Sequence, residues 1–145
     1  MRNSKRRYVN WYQIRWRKDQ RRHQEDESLQ TMKIASWNVN GLQCYVKKQT
    51  VTDTLETQDL SIIGLVETRI GENNHEDLSM FNRYRTIKVE RGYGEKAGGG
   101  ILLLVKDGIR HSAWNPLYPE TPGTEKEKAW ILLHSGEIQI TIGFV

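Results

Sequence analysis

The segment Leu60-Ser-Ile-Ile-Gly-Leu-Val66 decides the fold, because it is almost continuously apolar and rich in branched side chains. A run of this length and composition is typical of a strand that is covered on both faces. Ile101–Val105 has the same character and follows the turn residues Gly98-Gly-Gly100. Two such strands predict a sheet with a packed layer on each side.

The remaining apolar segments are shorter and are separated by turn residues. A helix is predicted over Tyr45–Thr57, with Val51 and Leu55 on its apolar stripe. Further strands are predicted at Lys33–Val39, Arg83–Val89, Trp130–Leu133 and Glu137–Val145, the last two forming a hairpin. Three prolines, Pro116, Pro119 and Pro122, predict a loop. One helix and many strands indicate an α/β protein of the α+β type.

Positive charge is concentrated at the beginning of the chain. Residues 1–24 contain nine Lys/Arg and one acidic residue, so their net charge is +8, whereas the whole chain carries +4 and the rest must carry −4. Two interpretations of this segment remain open. Tyr8, Trp11, Tyr12 and Trp16 could form a helical face on an arm that stacks on bases, or the segment is an extension that buries too little to fold. We expect the second, with residues 1–31 as a disordered basic extension and residues 32–145 as the folded domain.

Composition excludes several classes of protein. No stretch of the sequence approaches the roughly 18 apolar residues that a membrane-spanning helix needs, so we expect no membrane partner. The basic N-terminus is not followed by the apolar segment of a secretory signal. The single cysteine, Cys44, excludes an internal disulfide and a thiolate metal site. An intracellular location is therefore expected.

Polar residues directly follow two of the predicted strands. In Ser36-Trp-Asn-Val-Asn-Gly-Leu42, Asn38 ends a strand, although Asn-Gly is also an ordinary turn signal. In Gly64-Leu-Val-Glu-Thr-Arg69, the Glu67 carboxylate follows the apolar strand. Such a position holds a carboxylate rigidly at a sheet edge, as a Mg²⁺ site requires. Taken alone, however, Glu67 favours the interpretation of a solvated acid at a strand end over that of a metal ligand.

Together these segments resemble a known family. Three segments resemble the opening of the endonuclease/exonuclease/phosphatase superfamily: Met32–Leu42, Leu60–Arg69 and Ala97–Val105. The segments Trp130–Leu133 and Ile138–Val145 are similar to its next two strands. Within the superfamily the sequence is most similar to the endonuclease domains of non-LTR (LINE-type) retrotransposons. The resemblance implies an incomplete four-layer α/β sandwich, present here as one sheet with an outer helix.

The resemblance also implies roles for individual residues. Glu67 matches the glutamate that binds the metal, and Asn38 matches the asparagine that contacts the metal site and the phosphate; these two are the catalytic and metal-binding candidates. Asn40 occupies a position where abasic-site endonucleases tend to have an aspartate, and it is a nucleic-acid-binding candidate together with Arg69. The implied cofactor is Mg²⁺ or Mn²⁺, and the implied partner is DNA.

The function implied by the resemblance is Mg²⁺-dependent hydrolysis of DNA phosphodiester bonds, which would place a functional protein in the nucleus. Two alternatives remain: a phosphatase-type member of the superfamily, or a non-catalytic fragment whose basic extension binds nucleic acid. The catalytic tyrosine, the Asp-x-Asn pair and the late Asp–His pair of the family have no counterpart in this sequence. We therefore expect a truncated domain, without measurable turnover, in which Ile62, Leu65, Ile101, Leu103, Ile138 and Ile140 are partly uncovered.

Overall fold

A computed structural model describes residues 9–16, 30–70, 77–89, 99–113, 128–135 and 138–144. These residues form two β-sheets and one α-helix, as the α+β assignment predicts. No helix in these ranges is long and apolar enough to cross a membrane. The predicted proline loop lies outside the described residues.

The larger sheet contains five strands in the order β1-β2-β3-β5-β4. Their bounds are β1 Val9–Trp16, β2 Gln30–Asn38, β3 Ile62–Val66, β4 Tyr84–Val89 and β5 Ile101–Lys106. Strands β2 and β3 are parallel and are connected through helix α1, Tyr45–Gln58, whereas the other pairs are antiparallel. The predicted helix and the four predicted strands of this sheet, β2, β3, β4 and β5, are thereby confirmed.

The smaller sheet contains three antiparallel strands, β6 His111–Ala113, β7 Ala129–Ser135 and β8 Ile138–Phe144. Strands β7 and β8 form the predicted hairpin. The expectation of one sheet is wrong at this point, because β7 and β8 pair with β6 in a sheet of their own. A hairpin signal fixes which strands pair with each other, but it carries no information about the sheet they join.

Alternation along the central strands divides the core into two layers. One set of side chains packs with Val51 and Leu55 of α1: Ala35, Trp37, Ile63, Leu65, Leu102 and Leu104. The alternate set packs with the buried residues of the smaller sheet: Met32, Ile34, Ile62, Ile101, Leu103 and Val105. The larger sheet therefore lies between the helix and the second sheet, which explains why β3 and β5 are apolar at nearly every position.

The expected exposure of the central strands is also wrong. Ile62, Leu65 and Leu103 are fully buried and Ile101 is 3% exposed, because the smaller sheet and α1 supply the two covering layers. Ile140 is only half-buried against the inter-sheet core, and the side chain of Ile138 lies outside the description.

The N-terminal extension departs from its prediction at Val9–Trp16, which form β1 and pair with β2 over the whole strand. This segment has Val, Ile, Tyr and two Trp among eight residues, types that favour strands. Without β1, strand β2 would have an unpaired edge. Its aromatic spacing is thus compatible with a strand as well as with a helix. The domain boundary near residue 31 stays a prediction.

One close contact sets the separation of the two sheets. Gly64 of β3 faces Phe144 of β8, and a Cβ atom at Gly64 would overlap the phenyl ring. Phe144 is 4% exposed. The ring therefore occupies the volume that any other residue at position 64 would fill.

Replacing Gly64 with Ala should destabilise the protein by about 1–3 kcal/mol, because the added methyl group overpacks the inter-sheet core. The free energy of unfolding in urea measures this cost. In a Phe144→Ala background the same substitution should cost much less, because the ring that it meets is gone. An equal cost in both backgrounds would contradict the contact.

The phenol of Tyr84 predicts a pH dependence of stability. Its hydroxyl donates a hydrogen bond to the Leu60 carbonyl at 2.9 Å, and burial, reinforced by Asp59 and Glu56, raises the pKa of Tyr84. The folded state therefore retains a proton that the unfolded state releases above about pH 10. The contribution of the protonated Tyr84 phenol to the free energy of unfolding is complete below that pH. It is lost as the pH rises through the folded-state pKa of Tyr84.

Tyr84→Phe should consequently differ most from the wild type near neutral pH, and the difference should shrink above about pH 10. Urea unfolding at pH 7 and pH 11 measures it. The matched control is Tyr45→Phe, which removes a phenol from a residue that is 69% exposed. A Tyr84→Phe difference that stays constant with pH would refute the assignment.

Candidate active site

Asn38 and Glu67 lie at the same edge of the larger sheet. Asn38 is the last residue of β2 and is the register partner of Val66, the last residue of β3, and Glu67 follows directly. Because β2 and β3 are parallel, their carboxyl ends meet at one edge. The backbone positions of Asn38 and Glu67 are therefore adjacent, as a shared metal site at these two residues requires.

The loops after the two strands continue to bond to each other beyond the regular ladder. The amide of Val39 donates to the Val66 carbonyl at 3.0 Å, and Gly41 donates to the Glu67 carbonyl at 2.6 Å. Leu42 then donates to the Thr68 carbonyl at 2.9 Å. These three bonds fix the backbone that carries both candidates.

A glycine pair holds Glu67 from the other side. The amide of Gly99 donates to Oε2 of the Glu67 carboxylate at 2.9 Å, and the amides of Thr68 and Arg69 donate to the carbonyls of Gly100 and Gly99. Gly100 has φ +87°, and a Cβ atom there would lie 2.7 Å from Oγ1 of Thr68. Only glycine fits this position. Oε1 of Glu67 accepts no hydrogen bond from the described residues.

The side chain of Asn38 is exposed, and its Oδ1 accepts a hydrogen bond from the Asn40 amide at 3.1 Å. The Asn38 side chain therefore closes an Asx turn directly before Gly41. The side chain of Asn40 in turn accepts a bond from Nη2 of Arg69 at 2.6 Å. The two nucleic-acid-binding candidates are thus in direct contact, across the two loops.

Three residues in these loops have left-handed backbone conformations that are costly for residues other than glycine. Asn40 has φ +48°, and both Glu67 and Arg69 have φ +57°. Such a conformation costs about 1–2 kcal/mol per residue, and strained residues tend to gather at functional sites. The bonds that join the two loops and the glycine pair hold this strain in place.

The donor set around Glu67 fits a hard cation. One carboxylate and nearby amide oxygens are what Mg²⁺ uses when it retains several waters. Among the described residues no group of three or more His, Cys, Asp or Glu could hold a metal ion. This excludes from the described ranges a dense all-protein cage but not a site with one carboxylate.

Sequence reasoning missed two residues that support the site. Gly99 was predicted only as part of a turn, although its amide holds the Glu67 carboxylate. Lys47 was assigned no role, and its Nζ donates to the carbonyls of Val39 and Asn40 at 3.1 and 2.7 Å. The sequence signal that could have identified Gly99 is the glycine run Gly98-Gly-Gly100. The sequence offers no such signal for Lys47, because a lysine on a polar turn of a helix is common.

Comparison with known proteins gives two findings. Residues 35–140 match the model of the Endonuclease/Exonuclease/phosphatase family. An exodeoxyribonuclease of Bacillus subtilis (strain 168) is 37% identical over 68 residues, a match that covers 46% of this chain and 27% of that protein. The chain thus matches a minor part of the length of that relative, and both strand-end segments lie within the family match.

Arg69 offers a test of the strained backbone. Arg69→Gly should be more stable than Arg69→Ala by up to about 1 kcal/mol, because glycine adopts a positive φ without steric cost. Both variants lose the guanidinium, so they differ only in the Cβ atom. Urea unfolding measures the difference.

The control is the same pair of substitutions at Thr86, an exposed residue of β4. There the glycine variant should be the less stable of the two, since glycine is unfavourable in extended strands. If the glycine variant is the less stable of the two at position 69 as well, the backbone of Arg69 is not strained.

Proposed function

This chain belongs to the endonuclease/exonuclease/phosphatase family, and we propose that it contributes to a divalent-metal-dependent nuclease that hydrolyses phosphodiester bonds in DNA. The observation that carries the proposal is the Glu67 carboxylate, held at a strand end by Gly99 beside the end of the Asn38 strand. The similarity to the Bacillus subtilis exodeoxyribonuclease supports a nuclease activity over a phosphatase activity.

Glu67 and Asn38 are the residues that would hold the cation. The Gly99 amide orients Oε2 of Glu67 and leaves Oε1 without a bond from the described residues. Asn38 would add its Oδ1, which has a second lone pair besides the one that accepts from Asn40. A bound Mg²⁺ or Mn²⁺ would polarise the phosphate and stabilise charge on the leaving oxygen.

Arg69 and Asn40 would position the nucleic acid. The hydrogen bond to Asn40 uses one of the five donors of the guanidinium. Arg69 is exposed, so its remaining donors are available to the solvent side of the loop. A planar guanidinium fixed in this way is suited to a backbone phosphate. Asn40 therefore acts as a positioning residue for Arg69.

Water activation requires a general base. The described loops that carry Asn38 and Glu67 contain no histidine. The described histidines, His111 and His134, line a separate cleft. Turnover therefore depends on residues beyond these loops. We further propose that the nuclease is of the retrotransposon type and acts in the nucleus, where its DNA substrate would lie.

Glu67→Gln should abolish Mn²⁺ binding at the candidate site, because an amide replaces the Glu67 carboxylate, the one carboxylate that the described residues place there. Paramagnetic broadening of backbone amide signals shows where Mn²⁺ binds. In the wild type the amide signals of Asn40, Gly41 and Gly99 should broaden first. Excess Mg²⁺ should restore these signals by displacing Mn²⁺. In the Glu67 variant that selective broadening should disappear. Broadening that persists would contradict metal binding by Glu67.

The matched control is Glu56→Gln, which removes an exposed carboxylate from α1 and should leave the broadening unchanged. Activity is tested separately with supercoiled plasmid, end-labelled duplex DNA and a phosphomonoester. Metal-dependent DNA hydrolysis that survives Glu67→Gln would contradict the proposed site. Cleavage of the phosphomonoester alone would favour the phosphatase alternative.

A further inference from the structure

A second polar cleft lies away from Asn38 and Glu67. It has a volume of about 590 Å³ and is lined by six residues: Arg85, Gly108, Ile109, Arg110, His111 and His134. Four of these carry basic side chains, and none is acidic. We refer to these six residues as the basic cleft.

Backbone hydrogen bonds fix the walls of the basic cleft. The amide of His134 donates to the Arg110 carbonyl at 2.9 Å and so joins the start of β6 to the end of β7. The amide of Asp107 donates to the Arg83 carbonyl at 3.0 Å, which ties the turn after β5 to the start of β4. The cleft is therefore lined by β4, the turn after β5, β6 and β7, and these two bonds fix the elements in pairs.

The side chains of the basic cleft retain unused donors. Neither Arg85 nor Arg110 forms an ion pair or side-chain hydrogen bond with the described residues, and both are exposed. Nδ1 of His111 bonds with the Ile109 carbonyl at 2.9 Å, and Nε2 of His134 bonds with the Ser112 hydroxyl at 3.0 Å. Each ring is oriented by one nitrogen, and its other nitrogen has no partner among the described residues.

The basic cleft and the candidate active site lie at opposite ends of β5. Ile101 begins β5 in register with Val66, next to Glu67, whereas Arg85 pairs with Val105 near the other end. Four residues along a strand correspond to about 13 Å, and the turn containing Gly108 extends farther in the same direction. The two sites therefore do not share residues.

We propose that the basic cleft binds a phosphate ester, as a second anion site distinct from the one at Glu67. Two guanidinium groups present planar pairs of donors that match phosphate oxygens, and no described carboxylate lining the cleft competes for them. The volume lies within the usual range for ligand pockets and exceeds what one phosphate fills. It admits the attached sugar of a nucleotide, free or within a nucleic-acid strand.

The test uses three probes at constant ionic strength: inorganic phosphate, deoxyadenosine 5′-monophosphate, and a tetrathymidylate without terminal phosphates. Ring-proton shifts of His111 and His134 should follow saturable binding of at least one of the two esters. The monophosphate arm reports a free nucleotide, and the tetrathymidylate arm reports a strand backbone. Inorganic phosphate should bind more weakly than the preferred ester, because it leaves the rest of the cleft unfilled.

Arg85→Gln and Arg110→Gln should each weaken ester binding about tenfold, as expected for the loss of a charge-assisted pair of hydrogen bonds. Arg110→Lys should restore only part of the affinity, since an ammonium keeps the charge without the planar fork. Arg83→Gln is the matched control, because Arg83 is also exposed but does not line the cleft. Thermal unfolding verifies that the variants remain folded.

Absence of saturable shifts with both esters overturns the proposal, as does an equal loss of affinity in the Arg83 control. Glu67→Gln should leave ester binding at the basic cleft unchanged. The result is therefore independent of metal binding at Glu67, and a failure of either proposal is visible separately from a failure of the other.

Discussion

Parallel pairing of β2 with β3 is the constraint on which the rest of the molecule depends. Two parallel strands need a crossover, and α1 provides it while covering one face of the sheet. The same pairing brings the carboxyl ends of both strands to one edge, where Asn38 and Glu67 lie. A shift of one residue in this register would reverse the faces of Ile62 and Ile63 and would also separate the polar ends. Core packing and site geometry are therefore specified by the same set of backbone bonds.

The smaller sheet covers the second face of the larger sheet, and the two sheets must approach each other closely. A glycine in β3, which has no side chain, makes this close approach possible. Gly64 lies in the middle of an apolar strand, where glycine is otherwise unfavourable. Its absent Cβ gives Phe144 room to reach the sheet. The ring then completes the inter-sheet core around Ile62 and Leu103. Full burial of a large apolar side chain contributes about 1.5–3 kcal/mol. The stabilisation from burying several such residues on this face therefore exceeds the destabilisation that one glycine causes within the strand.

The sequence predicted the elements better than their assembly. Apolar continuity located β3 and β5, and the placement of Glu67 directly after β3 indicated the sheet edge where the candidate site is proposed. The placement of β7 and β8 in a second sheet depends on contacts such as that between Gly64 and Phe144, which no local pattern records. The support of Glu67 by Gly99 links residues 32 positions apart, and the spacing between them has no fixed period. β1 was missed because the basic, polar composition of the segment favours a disordered extension, whereas pairing with β2 is a long-range contact that composition does not record.

Net charge alone gives a misleading account of where this protein would meet an anion. Residues 25–145 sum to −4, yet they place Arg85 and Arg110 in one cleft and Arg69 beside the other site. At physiological salt, charges separated by more than about 8 Å are largely screened. A phosphate close to either arginine cluster therefore responds chiefly to the local charges rather than to the acidic total. Positive charge concentrated at the start of the chain would add only a long-range, salt-sensitive attraction to phosphates, whereas fixed guanidinium groups can select the geometry of the phosphate. Position, rather than the sum of charges, is what makes the folded part of the chain suited to phosphate esters.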